Sequence, residues 1–171
     1  LYVGRLAPEK RLDVLMQAFP AIREAVGPGV ALVLVGDGPW MDRLRARKLE
    51  GVHFLGYRTG SALAQAYASG DIFVFPSDTE TFGNVVTEAL ASGLPVVAPA
   101  KGGVMESVIP GRTGILVPPR DPRAFGAAVI DLLSDSARQQ SLGEGARAFA
   151  ETRSWASVLD GLLEDYLEVL A

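Results

Sequence analysis

The chain has no cysteine, so it forms no disulfide and offers no thiolate to a metal or a redox step. With His53 as the one histidine, a histidine cage for a metal is equally remote. No run approaches the roughly 20 apolar residues of a membrane span, and no charged-then-apolar leader heads the chain. The segment therefore reads as soluble as it stands, with its true N-terminus expected upstream. Positive charge is not in excess: 16 Lys and Arg face 20 Asp and Glu, for a net charge of −4. That balance, with a pI near 5.0, carries no footprint for nucleic acid. What abounds is apolar residues, 49% of 171, enough for one substantial core and too little chain for a second domain.

Apolar β-prone runs alternate with amphipathic stretches, a pattern that predicts a doubly wound α/β domain with a six-stranded parallel sheet. Strands are expected at about 1–4, 31–35, 52–55, 71–75, 95–98 and 114–117. Helices are expected at about 9–26, 39–48, 60–69, 83–92, 103–109, 122–134, 136–151 and 154–170. The Pro/Gly clusters at 27–29, 36–39 and 118–122 fall where connections are needed, and no repeat or low-complexity linker intervenes.

The most informative stretch is 76–98, PSDTETFGNVVTEALASGLPVVA, which sets Glu80 and Glu88 between two strands buried on both faces. A helix from about Gly83 to Gly93 places Asn84 and Glu88 four apart on one face. Glu80 precedes that helix on the loop at a strand's carboxyl end, where open α/β sheets bind ligands. Each acid alone has a plainer reading, Glu80 as a complement to the helix dipole and Glu88 as an exposed helical residue. Together they fit a site. The amides of Phe82, Gly83 and Asn84 would bind an anion, Gly83 would allow close backbone approach, and a carboxylate one turn deeper suits a vicinal diol. Phosphate plus diol points to a nucleotide.

Other strand ends agree. Gly4 and Arg5 close the first strand, and Lys10 and Arg11 follow. Arg5 can fork across phosphate oxygens while Lys10 supplies a mobile charge, although Lys10 and Arg11 also read as solvated first-turn residues. Gly36-Asp37-Gly38-Pro39 closes the second strand, but Met41 stands where a dinucleotide fingerprint needs its third glycine, so a nicotinamide dehydrogenase is poorly supported.

Glu80, seven residues and Glu88, within Pro-Ser-x-x-Glu-x-Phe-Gly and followed by Glu-Ala-x-Ala-x-Gly-x-Pro-Val-Val-Ala, resemble the signature of retaining family-4 glycosyltransferases. Val3-Gly4-Arg5-Leu6 with Glu9-Lys10, Val35-Gly36-Asp37-Gly38-Pro39, Phe54-x-Gly56-Tyr57, and Gly102-Gly103 through Gly114-Ile115-Leu116-Val117 extend the resemblance along nearly the whole chain. It implies the second half of a two-domain B-type fold: residues 1–171 as the nucleotide-sugar donor-binding domain, with the N-terminal acceptor domain absent from this chain.

The resemblance implies catalytic roles for Glu80, Arg5 and Lys10. Arg5 and Lys10 would neutralise the leaving diphosphate, helped by the amides of Gly83, Asn84 and Val85. Glu88 would hold the ribose diol, and Glu80 the sugar hydroxyls or an oxocarbenium-like transition state. Gly4, Gly36, Gly38 and Phe82 would line the donor, with Tyr57 or Arg58 beside the base. The implied function is hexosyl transfer from a GDP-mannose or UDP-glucose type donor to an acceptor hydroxyl, with lipid and polysaccharide acceptors both open. No cofactor is implied and no metal is required. The implied partners are the nucleotide diphosphate sugar and the missing domain, through which peripheral membrane contact would occur; nucleic acid is not among them. The implied location is cytoplasmic, including the inner face of the membrane. A non-catalytic sugar-nucleotide-binding scaffold and a sugar-nucleotide epimerase are the alternatives.

Some residues read as structural. His53 is expected to be packed and hydrogen-bonded, Arg43, Arg45, Arg47 and Lys48 to form a solvated face, and Glu106 to cap or orient its loop. Trp155, Val158, Leu159, Leu162, Leu163, Tyr166, Leu167 and Leu170 form a helical stripe expected to pack on its own domain, or in part to have lost its partner.

Overall fold

A computed structural model describes residues 1–79 and 83–153, together with 159, 163, 166 and 168. Among these residues six short strands alternate with helices: β1 (Tyr2–Val3), α1 (Leu12–Val26), β2 (Leu32–Val35), α2 (Met41–Arg45), β3 (Val52–Gly56), α3 (Gly60–Ala68) and β4 (Phe73–Val74). Then come α4 (Asn84–Ala91), β5 (Val96–Pro99), β6 (Gly114–Val117), α5 (Pro122–Ser134) and α6 (Ser136–Glu151).

Every ladder is parallel, as the two-sided apolar runs predicted. The strands form two three-stranded sheets, β1-β2-β3 and β4-β5-β6, rather than the one six-stranded sheet expected. The sheets meet at Leu1, whose nitrogen donates to the Ile72 carbonyl at 2.7 Å and whose carbonyl accepts from the Val74 amide at 2.8 Å. β1 and β4 are thus neighbours, but β1 holds only two residues and the join does not grow into a ladder.

Alternate strand residues enter two cores. Tyr2, Leu34, Val74 and Val97 pack with Leu15 and Phe19 of α1 and Phe125 and Leu132 of α5. Val3, Val35, Phe73, Val96 and Ala98 pack with Tyr67 of α3, Val86 and Leu90 of α4 and Phe149 of α6. Along β3 the register slips: Leu34 pairs with Phe54 but Val35 with Gly56, leaving Leu55 as the extra residue of a bulge.

Elements end where local chemistry diverts the backbone. The helix expected over 9–26 begins as a 3-10 turn, Pro8–Lys10, closed by the Arg11 amide on the Pro8 carbonyl; Arg11 then adopts φ 52° before α1 starts. The helix expected over 39–48 shortens to α2, because the Trp40 amide bonds the Leu6 carbonyl and Lys48 turns left-handed at φ 48°. Over 103–109 only Gly103–Glu106 is a 3-10 turn. The buried Thr113 hydroxyl accepts from the Ile109 amide and donates to the Ser107 carbonyl, both at 2.7 Å, which carries the chain out of helical geometry. α5 and α6 start as their sequences dictate, capped by Asp121 ahead of Pro122 and by Asp135. Of the apolar stripe over 154–170, Trp155, Val158, Leu162, Leu167 and Leu170 lie outside the described residues, while Leu159, Leu163 and Tyr166 are exposed.

Candidate functional site

β1, β2 and β3 wind outward in one direction from the Leu1 join and β4, β5 and β6 in the other. The carboxyl ends of β1 and β4 therefore flank the crevice where open α/β sheets receive ligands. The loops above them are held together. Ser77 and Thr79 hydroxyls, just past β4, donate to the Glu9 carbonyl at 3.3 and 3.5 Å. These long hydrogen bonds lay the turn carrying Lys10 against residues 77–79. Arg5 is exposed at the end of β1, its carbonyl accepting from the Tyr2 hydroxyl at 2.9 Å, and Lys10 is half-buried.

α4 opens on Gly83, buried and left-handed at φ 72°, a conformation glycine adopts without Cβ strain. The Gly83 carbonyl accepts from the Val86 amide at 2.8 Å. Helix geometry gives the Asn84 and Val85 amides no intrahelical acceptor, so the exposed end of α4 can receive an anion. One turn on, exposed Glu88 accepts a 2.7 Å hydrogen bond from the Tyr67 hydroxyl on α3. Burial first, and then the Glu88 carboxylate, push the Tyr67 phenol well above its usual range, so it acts as a fixed donor. Glu80 and Phe82, both expected at the site, lie outside the described residues.

The ends of β2 and β3 complete the edge. A Cβ on Gly36 would sit 1.9 Å from the Gly4 carbonyl oxygen, and one on Gly38 2.5 Å from that of Leu6. Their primary task is close backbone packing, reinforced by Gly4 amide to Val35 carbonyl and Leu6 amide to Asp37 carbonyl bonds, both 2.9 Å. The Gly36 amide in turn bonds the Gly56 carbonyl at 2.9 Å, which brings Tyr57 and Arg58 to the same edge. Tyr57 is 74% exposed.

Sequence reasoning missed the most highly charged group of this edge. The Asp78 side chain, 1% exposed, meets Arg120 Nε at 2.7 Å, Arg11 Nε at 3.4 Å and Lys101 Nζ at 3.9 Å. These cations come from the loops after β6, β1 and β5. Burial pushes the Asp78 carboxyl up, but hydrogen bonds from Arg120 and Arg11 with their positive charges outweigh it and hold the group below the usual carboxylate range. Its partners lie 42 and 67 residues away in sequence, so no local motif announces them.

The model of the family described as glycosyl transferases group 1 matches residues 1–135. The chain belongs to that family. It is 43% identical over 166 residues to a GDP-mannose-dependent alpha-mannosyltransferase of Mycobacterium tuberculosis, covering 96% of this chain and 41% of that protein. It is 37% identical over 183 residues to a D-inositol 3-phosphate glycosyltransferase of Salinispora arenicola, covering 99% and 41%. Its fold superposes on that of Anabaena HepE solved with UDP and glucose at a TM-score of 0.81 and 28% identity, covering 98% of this chain and 48% of that one. The chain thus spans less than half the length of these relatives.

Within this group 1 glycosyltransferase chain, other expected residues fall outside the site. His53 is exposed and its side chain makes no hydrogen bond among the described residues, contrary to expectation, because β3 is an edge strand. Glu106 is exposed and caps nothing among the described residues; Thr113 orders that loop instead. Arg43, Arg45, Arg47 and Lys48 are exposed as expected, with Arg43 over the Trp40 ring at 4.9 Å and Arg45 over Phe54 at 5.5 Å. An apolar hollow of about 900 Å³ is lined by Leu1, Phe19, Ile22, His53 and Ile72 among others; of the expected donor-binding residues that are described, only Arg58 borders it. Among the described residues no cluster of His, Asp or Glu is placed to hold a metal ion.

Proposed function

We propose that residues 1–171 are the donor-binding half of a retaining family-4 glycosyltransferase that moves a hexose from a GDP-mannose or UDP-glucose type donor to an acceptor hydroxyl. The observation carrying this is the grip of Ser77 and Thr79 on the Glu9 carbonyl, which gathers the Arg5 and Lys10 turn beside the chain entering α4. Two cations and a helix N-terminus then receive the diphosphate, with no metal needed for its charge. Glu88, aimed by Tyr67, accepts from the ribose hydroxyls. Glu80 acts on the sugar, and Tyr57 or Arg58 covers the base. The mannosyltransferase relative supports a GDP-mannose donor, and the UDP-bound neighbour supports the same diphosphate-ribose chemistry with another base.

The acceptor is delivered by an N-terminal domain beyond this chain, which the length of the relatives supports. Closure of that domain over the donor excludes water and aligns the acceptor for attack on the face the diphosphate leaves. A cytoplasmic enzyme touching the membrane only through that domain fits this reading.

Calorimetry with GDP, UDP, ADP and inorganic pyrophosphate tests the assignment. Arg5→Ala and Lys10→Ala are expected to weaken every ligand by about 1–3 kcal/mol. Glu88→Gln is expected to weaken the nucleoside diphosphates but not pyrophosphate, which carries no ribose. Equal losses with both ligand classes would remove Glu88 from the diol role, and unchanged affinities in the cation variants would move the diphosphate elsewhere.

A further inference from the structure

We propose that Asp78 is a positioning residue for the diphosphate-binding turn, acting through Arg11 on one side of Lys10 and supported by Arg120 and Lys101. The inference rests on the reading of Lys10 as a diphosphate ligand.

Three consecutive residues, Ser77, Asp78 and Thr79, bracket Lys10. Ser77 and Thr79 donate to the carbonyl of Glu9, the residue before it, while Asp78 accepts from Arg11, the residue after it. The Arg11 amide closes the 3-10 turn of Pro8–Lys10 on the Pro8 carbonyl, so the side chain that Asp78 holds belongs to the residue that shapes the turn. Backbone conformation supports the same conclusion. Only three non-glycine residues among those described are left-handed, and two of them, Arg11 at φ 52° and Arg120 at φ 60°, are hydrogen-bond partners of Asp78. A left-handed arginine is strained, and such strain persists where surrounding contacts over-determine the conformation. Here that contact is one carboxylate, 1% exposed, inside a ring of three cations. Both arginines bind it through Nε, which ties the end of each side chain to one point.

The arrangement does more than neutralise a buried charge, for which Arg120 at 2.7 Å would suffice. Arg11 at 3.4 Å contributes a weaker bond but the only side-chain link from Asp78 to the β1–α1 turn among the described residues. Loss of Asp78 releases the Arg11 side of that turn while Ser77 and Thr79 still hold the Glu9 side, which shifts the backbone that carries Lys10.

The test is a double-mutant cycle in the full-length protein, at a temperature where every variant is folded. It reads GDP and UDP affinity by calorimetry, and KM and kcat for hydrolysis of GDP-mannose or UDP-glucose. Asp78→Asn is expected to weaken the nucleoside diphosphate at least fivefold and to raise donor KM comparably, with kcat within twofold of wild type. In a Lys10→Ala background the same substitution is expected to have under a twofold effect, because the group being positioned is gone. Arg11→Gly keeps the left-handed backbone without the side chain; it is expected to behave as Asp78→Asn does and replaces it in the cycle if Asp78→Asn fails to fold. A lower melting temperature with unchanged KM and affinity, or full additivity with Lys10→Ala, would overturn the proposal and leave Asp78 a purely structural clamp. Unchanged affinity in Lys10→Ala alone would overturn the diphosphate reading, and the proposal with it, a result distinguishable because it appears in the single variant.

Discussion

The two halves of the carboxyl edge are held by different forces. Above β1 and β2 the loops lock chiefly through close backbone packing, with Gly36 and Gly38 lying so close to the Gly4 and Leu6 carbonyls that no side chain fits between them. Where β4, β5 and β6 end, Asp78 draws in Lys101 and Arg120, and reaches back to Arg11 after β1. Steric contact is indifferent to pH and salt; a paired carboxylate responds to both. The site is therefore built on one rigid wall and one electrostatically tuned wall, and Lys10 lies on the turn where they meet.

The sharpest way to break the comparison is Gly36→Ala. Its Cβ has no escape from a backbone oxygen 1.9 Å away, and the residue sits at φ 138°. Combining overpacking with backbone strain, a loss of about 2–5 kcal/mol is expected by chemical denaturation, constant across pH. A loss under ~1 kcal/mol would mean that the rigid wall yields.

Asp78→Asn is expected to cost less, about 1–3 kcal/mol at pH 7, since its cationic partners are partly exposed and regain water. The folded pKa of Asp78 lies below its ordinary value of 3.8, so its contribution is whole above about pH 5 and is lost as pH falls past 3.8 and through the depressed value. Denaturation of wild type and variant from pH 7 to pH 2 should show their stabilities converging in acid. A gap that stays constant would assign Asp78 a packing role like that of Gly36.

Smallest is Arg11→Gly. Relief of a left-handed arginine is worth about 1–2 kcal/mol, against a long ion pair whose arginine is partly exposed, of up to ~1 kcal/mol, and the greater freedom of unfolded glycine, about 0.5–1 kcal/mol. Stability is expected to change by less than about 0.5 kcal/mol in thermal melts. A near-neutral change in stability beside weakened ligand binding would separate positioning from support.

Much of this architecture was legible from the sequence because its causes are local. Apolar runs such as Val96–Pro99 marked the strands, α5 and α6 fall at the expected 122–134 and 136–151, and Gly93, left-handed at φ 76°, lies just past α4 as expected. Glu88, Gly83, Arg5 and Lys10 were named from a motif, and the fold brings their elements to one edge. What escaped was non-local. Asp78 looked like a loop residue because its partners are supplied by other loops, and Arg11 looked like an ordinary first-turn charge because nothing in Lys-Arg-Leu signals a left-handed backbone. The single sheet expected became two because pairing at the Leu1 join is a matter of reach between strands, which composition does not encode.

The bulge in β3 gives insertions and deletions a meaning that substitutions lack. With Leu55 as the surplus residue, Gly56 stands opposite Val35 and its carbonyl is where the Gly36 amide needs it. A strand advances about 3.3 Å per residue and reverses its faces at each step. Shortening β3 by one would draw Tyr57 and Arg58 back from the crevice by that distance and exchange the sides to which they point. The chain length between β2 and Tyr57 thus sets where residue 57 stands on the carboxyl edge and which way it points, whatever its identity.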